Sequence, residues 1–136
     1  MQPSNPNQFT EKAWAAIART PDLAKQAQHQ NLESEHLMKS LLEQEGLATQ
    51  IFQKAGCSVQ RVRDFTDDFI HRQPKISNPS GVYLGQSLDK LLDRAEEARR
   101  QFGDEFISVE HLVLAFAQDD RFGKKLFQEV GLTESA

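Results

Sequence analysis

Apolar residues recur along this chain at spacings of three and four, the period of a helix packed on one face, and no segment alternates in the manner of a half-buried strand. Leu84, Leu88, Leu91, Leu92, Ala95 and Ala98 form one stripe and predict a helix over about 85–102; Phe9, Ala13, Ala16 and Ile17 form a similar stripe earlier. Leu37, Leu41 and Leu42 predict a second buried face, and Leu112, Phe116 and Ala117 a third. Val59, Val62, Phe65, Phe69 and Ile70 line one side of a further helix, with Ser58 as its N-cap.

These segments are copies of one another. An offset of 75 residues lays positions 9–57 over 84–132 without a gap, matching Glu35 with Glu110, His36 with His111, Leu37 with Leu112, Phe52 with Phe127 and Gly56 with Gly131. Each copy reads as helix, loop, helix and short helix, the last ending at Gly56 or Gly131 as a left-handed cap. Thr20-Pro21-Asp22 sets the copies apart: Thr as N-cap with Pro at the first helical position predicts a restart or kink in the first copy.

The pattern therefore predicts an all-α, pseudo-twofold duplicated fold of seven to eight helices. It forms a single domain over 1–136, with repeat 1 at 9–71, a linker at 72–83 and repeat 2 at 84–132. The linker is expected from its Pro, Gly and Ser content around Pro74, Pro79 and Gly81. The helix that follows repeat 1 has its equivalent starting at Thr133, so the polypeptide reads as the front piece of a longer one with that final helix truncated.

Composition narrows the functional classes. Hydrophobic residues make up 38% and charged residues 26%, a mixture that folds. A net charge of −4 offers no field for a polyanion, so nucleic acid is not an expected partner. No segment has the apolar length of a membrane span, and the amino terminus lacks a basic start and an apolar run; the expected location is cytoplasmic. The lone Cys57 is read as structural, in a reduced compartment.

Catalytic signatures are lacking. The nearest approach to a phosphate-binding loop, Gly123-Lys124-Lys125, has neither the first glycine nor the hydroxyl residue, so no nucleotide cofactor is expected here. His36 and His111 each follow a glutamate, but adjacent residues point about 100° apart on a helix and cannot share an ion, so cap or packing roles are expected instead of a metal site. Glu35 and Glu110 fall in the first turn of their helices, where a carboxylate answers unpaired amides. The run Glu96, Glu97, Arg99 and Arg100 reads as a solvated face. Phe102, Phe106 and Phe122 flank polar loops; they are assigned to the core, the alternative being exposure beside a groove that grips apolar segments.

The duplicated unit with a Glu-His-Leu helix start in each half resembles the Clp amino-terminal repeat domain. Phe9-Thr10-Glu11-Lys12-Ala13-Trp14, Glu35-His36-Leu37-Met38 and Arg100-Gln101-Phe102-Gly103-Asp104-Glu105-Phe106-Ile107-Ser108 are similar to the ClpB/Hsp100 type. Arg72-Gln73-Pro74-Lys75 and Ala117-Gln118-Asp119-Asp120-Arg121-Phe122-Gly123-Lys124-Lys125 resemble its cyanobacterial and plastid version.

The resemblance implies a module on an ATP-driven homohexameric AAA+ ring, with ATP and Mg bound elsewhere in the parent protein. That ring would thread aggregated polypeptide together with the Hsp70 system. The module itself would make first contact with unfolded substrate. The implied groove contains two acidic positions that match Asp104 and Glu110; neighbouring positions, often leucine in relatives, are Arg94, Ala98 and His111 here, and Pro6 replaces a threonine. An adaptor-docking role, as in protease-associated Clp ATPases, is the alternative implied; a small metal-dependent enzyme is the weakest reading.

Overall fold

The computed structural model describes residues 6–44, 46–76 and 81–132. Among them are seven α-helices: α1 (Glu11–Gln26), α2 (Ser34–Glu43), α3 (Leu47–Lys54), α4 (Val59–Arg72), α5 (Gln86–Phe102), α6 (Val109–Ala115) and α7 (Gly123–Val130). The all-α expectation and the predicted caps are met. Ser58 Oγ accepts the Arg61 amide of α4 at 3.3 Å, and Gly131 ends α7 at φ 72°, a conformation that strains any residue with a Cβ. Phe116–Gln118 tightens into a 3-10 turn after α6, so that helix is shorter than its stripe predicts. The expected helix start at Thr133 lies outside the described residues.

Pro21 does not break α1. Residue 21 has no amide to offer the Ile17 carbonyl, and the buried Thr20 hydroxyl donates to that carbonyl instead, at 2.7 Å. The vacant acceptor is satisfied from the adjacent residue, and the helix continues for its full 16 residues.

Two short strands, β1 (Asn31–Leu32) and β2 (Tyr83–Leu84), pair in parallel, a feature the helical periodicity did not reveal. The pairing explains how the copies interlock. Leu32 pairs with Leu84, and in the 75-residue register that pair maps onto the bridge between Ile107 and Phe9. The Gly85 amide donates to Leu32 O at 2.8 Å, as the Thr10 amide donates to Ile107 O at 2.9 Å. Each copy thus threads its leading residue onto the loop of the other. Helices follow the same exchange, α2 packing on α5 and α6 on α1.

One core runs through both copies, with Leu37, Phe52, Leu112, Phe116, Phe122 and Leu126 fully buried. Burying each such side chain contributes about 1.5–3 kcal/mol relative to exposure. The α1 and α5 starts differ in a way that ties the copies together. Thr10 caps α1 through Oγ1 at 3.2 Å from the Ala13 amide, whereas Gly85 has no side chain. Glu33, from the other copy, supplies the missing acceptor to the Ser87 amide at 3.2 Å and to the Ser87 hydroxyl at 2.6 Å. A Cβ on Gly85 would lie 2.2 Å from Glu33 Oε1, so any larger residue here must push the Glu33 carboxylate aside.

Candidate functional site

The second copy carries the candidate surface, and its construction begins at the end of α5. Gly103, left-handed at φ 69°, turns the chain, and the Asp104 amide donates to Arg99 O at 3.1 Å. The Arg99 guanidinium returns to Asp104 O at 2.9 Å and is itself held by both oxygens of Glu96, at 2.8 and 2.7 Å. Those bonds from Arg99, joined by one from Arg100, hold the Glu96 carboxyl down to about 2. The run read as a solvated face therefore fixes the backbone of Asp104.

The two histidines of the repeat motif sit at the third position of α2 and α6, where each ring accepts an amide that the helix leaves open. Glu33 N donates to His36 Nδ1, and Ser108 N to His111 Nδ1, both at 2.9 Å. Accepting there places each ring proton on Nε2. The expected capping role is met. In the first copy Nε2 of His36 donates to Nδ1 of His29 at 2.9 Å, and in the second Nε2 of His111 donates to Oδ2 of Asp104 at 2.8 Å. His29 and Asp104 occupy equivalent positions of the repeat.

Glu35 and Glu110 part company despite their shared place in the repeat. Glu110 is exposed in the first turn of α6. Glu35, in the first turn of α2 as expected, is fully buried and also faces Arg121 of the second copy, whose Nε and Nη2 donate to its two oxygens at 3.0 and 2.9 Å. Burial still pushes the Glu35 carboxyl up, against the pull of Arg121.

Two grooves border this surface. The larger, about 640 Å³, lies between α3 and α6; Leu47, Ile51, Leu114, Phe102, Asp104, Glu110 and His111 line it. The smaller, about 370 Å³, is lined by Arg94, Glu97, Ala98, Gln101, Phe102 and Gln118. The five positions singled out from the sequence thus divide, Asp104, Glu110 and His111 on one groove and Arg94 and Ala98 on the other. Arg94 is hydrogen-bonded to Gln118.

Phe102 joins the grooves, is 63% exposed and stacks on the His111 ring with centroids 6.1 Å apart. Phe106, four residues further on, is 43% exposed. The core assignment of these two is corrected: Phe102 closes α5 at its exposed end, and Phe106 lies in the loop past the αL turn at Gly103; Phe122 is fully buried as expected.

Leu47 was missed as a surface residue because its repeat counterpart is Phe122. α4 covers Phe122 with Phe65 and Phe69, at centroid distances of 5.8 and 5.1 Å. Leu47 is 38% exposed at the larger groove. The only signal in the sequence was that Phe65 and Phe69 lie beyond the repeated region.

Apolar surface bordered by carboxylates suits recognition of another chain. Among the described residues no group of three His, Cys, Asp or Glu side chains is arranged to hold a metal ion, and no helix is long and apolar enough to cross a membrane.

Comparison with known proteins agrees with the architecture. The chaperone protein ClpB 1 of Thermosynechococcus vestitus is 92% identical over 134 residues, covering 98% of this chain and 15% of that protein. ClpB 2 of a Nostoc species is 65% identical over 136 residues, covering 99% of this chain and 16% of that protein. The chain therefore spans about 15% of the length of the curated relatives it matches. The crystal structure of the Hsp104 N-terminal domain from Candida albicans superposes with a TM-score of 0.83 at 20% identity, covering 94% of this chain and 85% of that one. The profile of the Clp repeat (R) N-terminal domain matches residues 8–130, and the chain belongs to that family.

Proposed function

We propose that this chain is the substrate-capturing amino-terminal module of a cytoplasmic, ATP-driven disaggregase that works with the Hsp70 system on aggregated proteins. The nucleotide and magnesium chemistry, and assembly into a homohexamer, belong to other parts of the parent protein. The observation that carries this reading is the exposed Phe102, bordered by the carboxylates of Asp104 and Glu110. Such a surface takes apolar side chains of an unfolded polypeptide weakly, and six copies on one ring multiply a weak grip by effective concentration.

The capture surface centres on Phe102, which lines both grooves. The face of α2 and α7 equivalent to the α6–α3 groove is covered by α4 in the first copy. Among the described residues the α3–α6 groove has no such cover. Titrating an isotope-labelled chain with a permanently unfolded protein should shift the amides of Ala98, Phe102, Asp104, Glu110 and His111. Shifts scattered elsewhere, or none, would overturn the reading.

A second reading, docking of a folded adaptor as in protease-associated Clp ATPases, is favoured by the polar lining of the smaller groove at Arg94, Glu97, Gln101 and Gln118. Affinity capture separates them: one stoichiometric folded partner supports docking, and a heterogeneous set of denatured proteins supports capture.

A further inference from the structure

We infer that Asp104 is a positioning residue, which serves the proposed capture surface by fixing the His111 ring against Phe102 and not by touching the bound polypeptide. This inference rests on the capture reading. Its basis is the geometry of Asp104 itself. One carboxylate oxygen, Oδ2, accepts from His111 Nε2 at 2.8 Å, and the opposite ring nitrogen of His111 is engaged by the Ser108 amide at 2.9 Å. Both nitrogens are committed, so the imidazole plane is fixed. The face of that plane carries Phe102, 6.1 Å away between centroids and inclined by 29°. His111 is 4% exposed, whereas Phe102 is 63% exposed, so of the two stacked rings Phe102 is the one a partner meets, beside an Asp104 side chain that is 54% exposed.

The repeat supplies an independent argument. His29 holds the position equivalent to Asp104, is itself buried, and makes the same contact to its own capping histidine, Nδ1 to His36 Nε2 at 2.9 Å. A contact made in both copies, by an acid in one and by a buried ring in the other, is a device for orienting the histidine. The acid is in turn held by Arg99, whose guanidinium donates to its carbonyl and is pinned by Glu96.

The two roles predict different behaviour in conservative variants. Asp104→Asn removes the charge but keeps an oxygen that accepts from Nε2, whereas Asp104→Ala removes both. For the affinity arm, the probe is a fluorescein-labelled peptide of alternating leucine and lysine, titrated against the chain and followed by anisotropy. Positioning predicts that the Asn variant binds within about threefold of the parent and that the Ala variant binds about tenfold more weakly, the effect of one lost charge-assisted hydrogen bond. Equal weakening in both variants, accompanied by loss of the salt dependence of binding, would show direct contact with the lysines and overturn the inference.

Nitrogen chemical shifts of His111 provide the second arm, which needs no ligand. The parent and the Asn variant should show the proton on Nε2, and the Ala variant a mixed or changed ring state with altered Phe102 ring shifts. An unchanged His111 and Phe102 in the Ala variant would overturn the inference even where affinity falls. Failure of the parent chain to bind the peptide would instead count against the capture reading, the ring measurement still deciding whether Asp104 fixes His111.

Discussion

Arg121 reaches across the repeat boundary and places its Nε and Nη2 3.0 and 2.9 Å from the two carboxylate oxygens of Glu35, which has no exposed surface. Nothing equivalent exists in the other direction, because the repeat counterpart of Arg121 is Gly46. Arg121→Ala strands the buried Glu35 and should cost about 3–5 kcal/mol in urea unfolding; Glu35→Ala should cost less, because Arg121 is 35% exposed and keeps Gln73 Oε1 as a partner, and the double variant should cost less than the sum of the two. Additive losses would show that the pair acts as two independent contacts.

The buried histidines make stability depend on pH. His36 is held down to about 3 by burial first, then by His29 and Arg121; His29 is lowered by burial and by Arg121. Their ordinary value is 6.5, so below it the unfolded chain takes up protons that the folded rings refuse, and stability falls as pH falls. His36 alone should remove about 2 kcal/mol between about pH 7 and about pH 5. Glu35, pushed up by burial, opposes this loss at the acid end. Urea unfolding at stepped pH checks the sign, and a flat profile through this window would refute the assignment.

Gly85→Ala places a Cβ 2.2 Å from Glu33 Oε1 and must displace the carboxylate that caps α5. We expect a loss of about 1–3 kcal/mol from overpacking and the broken cap. Glu33→Ala should cost about 1 kcal/mol, and the glycine substitution should cost less in that background. Thermal unfolding of the two single variants and the double variant measures the coupling.

Thr20→Val leaves the Ile17 carbonyl without its donor and should cost about 1–2 kcal/mol. Pro21→Ala returns a backbone amide to the same carbonyl, so the valine substitution should cost much less beside it. An unchanged cost in the alanine background would mean that the Thr20 hydroxyl is not the substitute donor.

The helices, their caps at Ser58 and Gly131 and the capping histidines were legible from local chemistry, because each depends on neighbours within one turn. Pro21 was misjudged for the opposite reason: whether a proline interrupts a helix depends on what else can satisfy the carbonyl it abandons, and here a buried threonine does so. Asp104, Glu110 and His111 line one groove, whereas Arg94 and Ala98 face another, a division the sequence did not reveal. Phe102, the last residue of α5, stands between the two grooves.

Periodicity and the 75-residue register determined by themselves that the protein is a duplicated helical unit, since burial of one helix face is a property of spacing. Only the tertiary structure decided how matched residues diverge. Glu35 is paired in the interior and Glu110 stands in solvent; Phe122 lies beneath α4 and Leu47 is exposed at a groove. The physical reason is that a repeat sets the same local shape twice, while burial, ion pairing and exposure depend on what the rest of the chain lays over each copy.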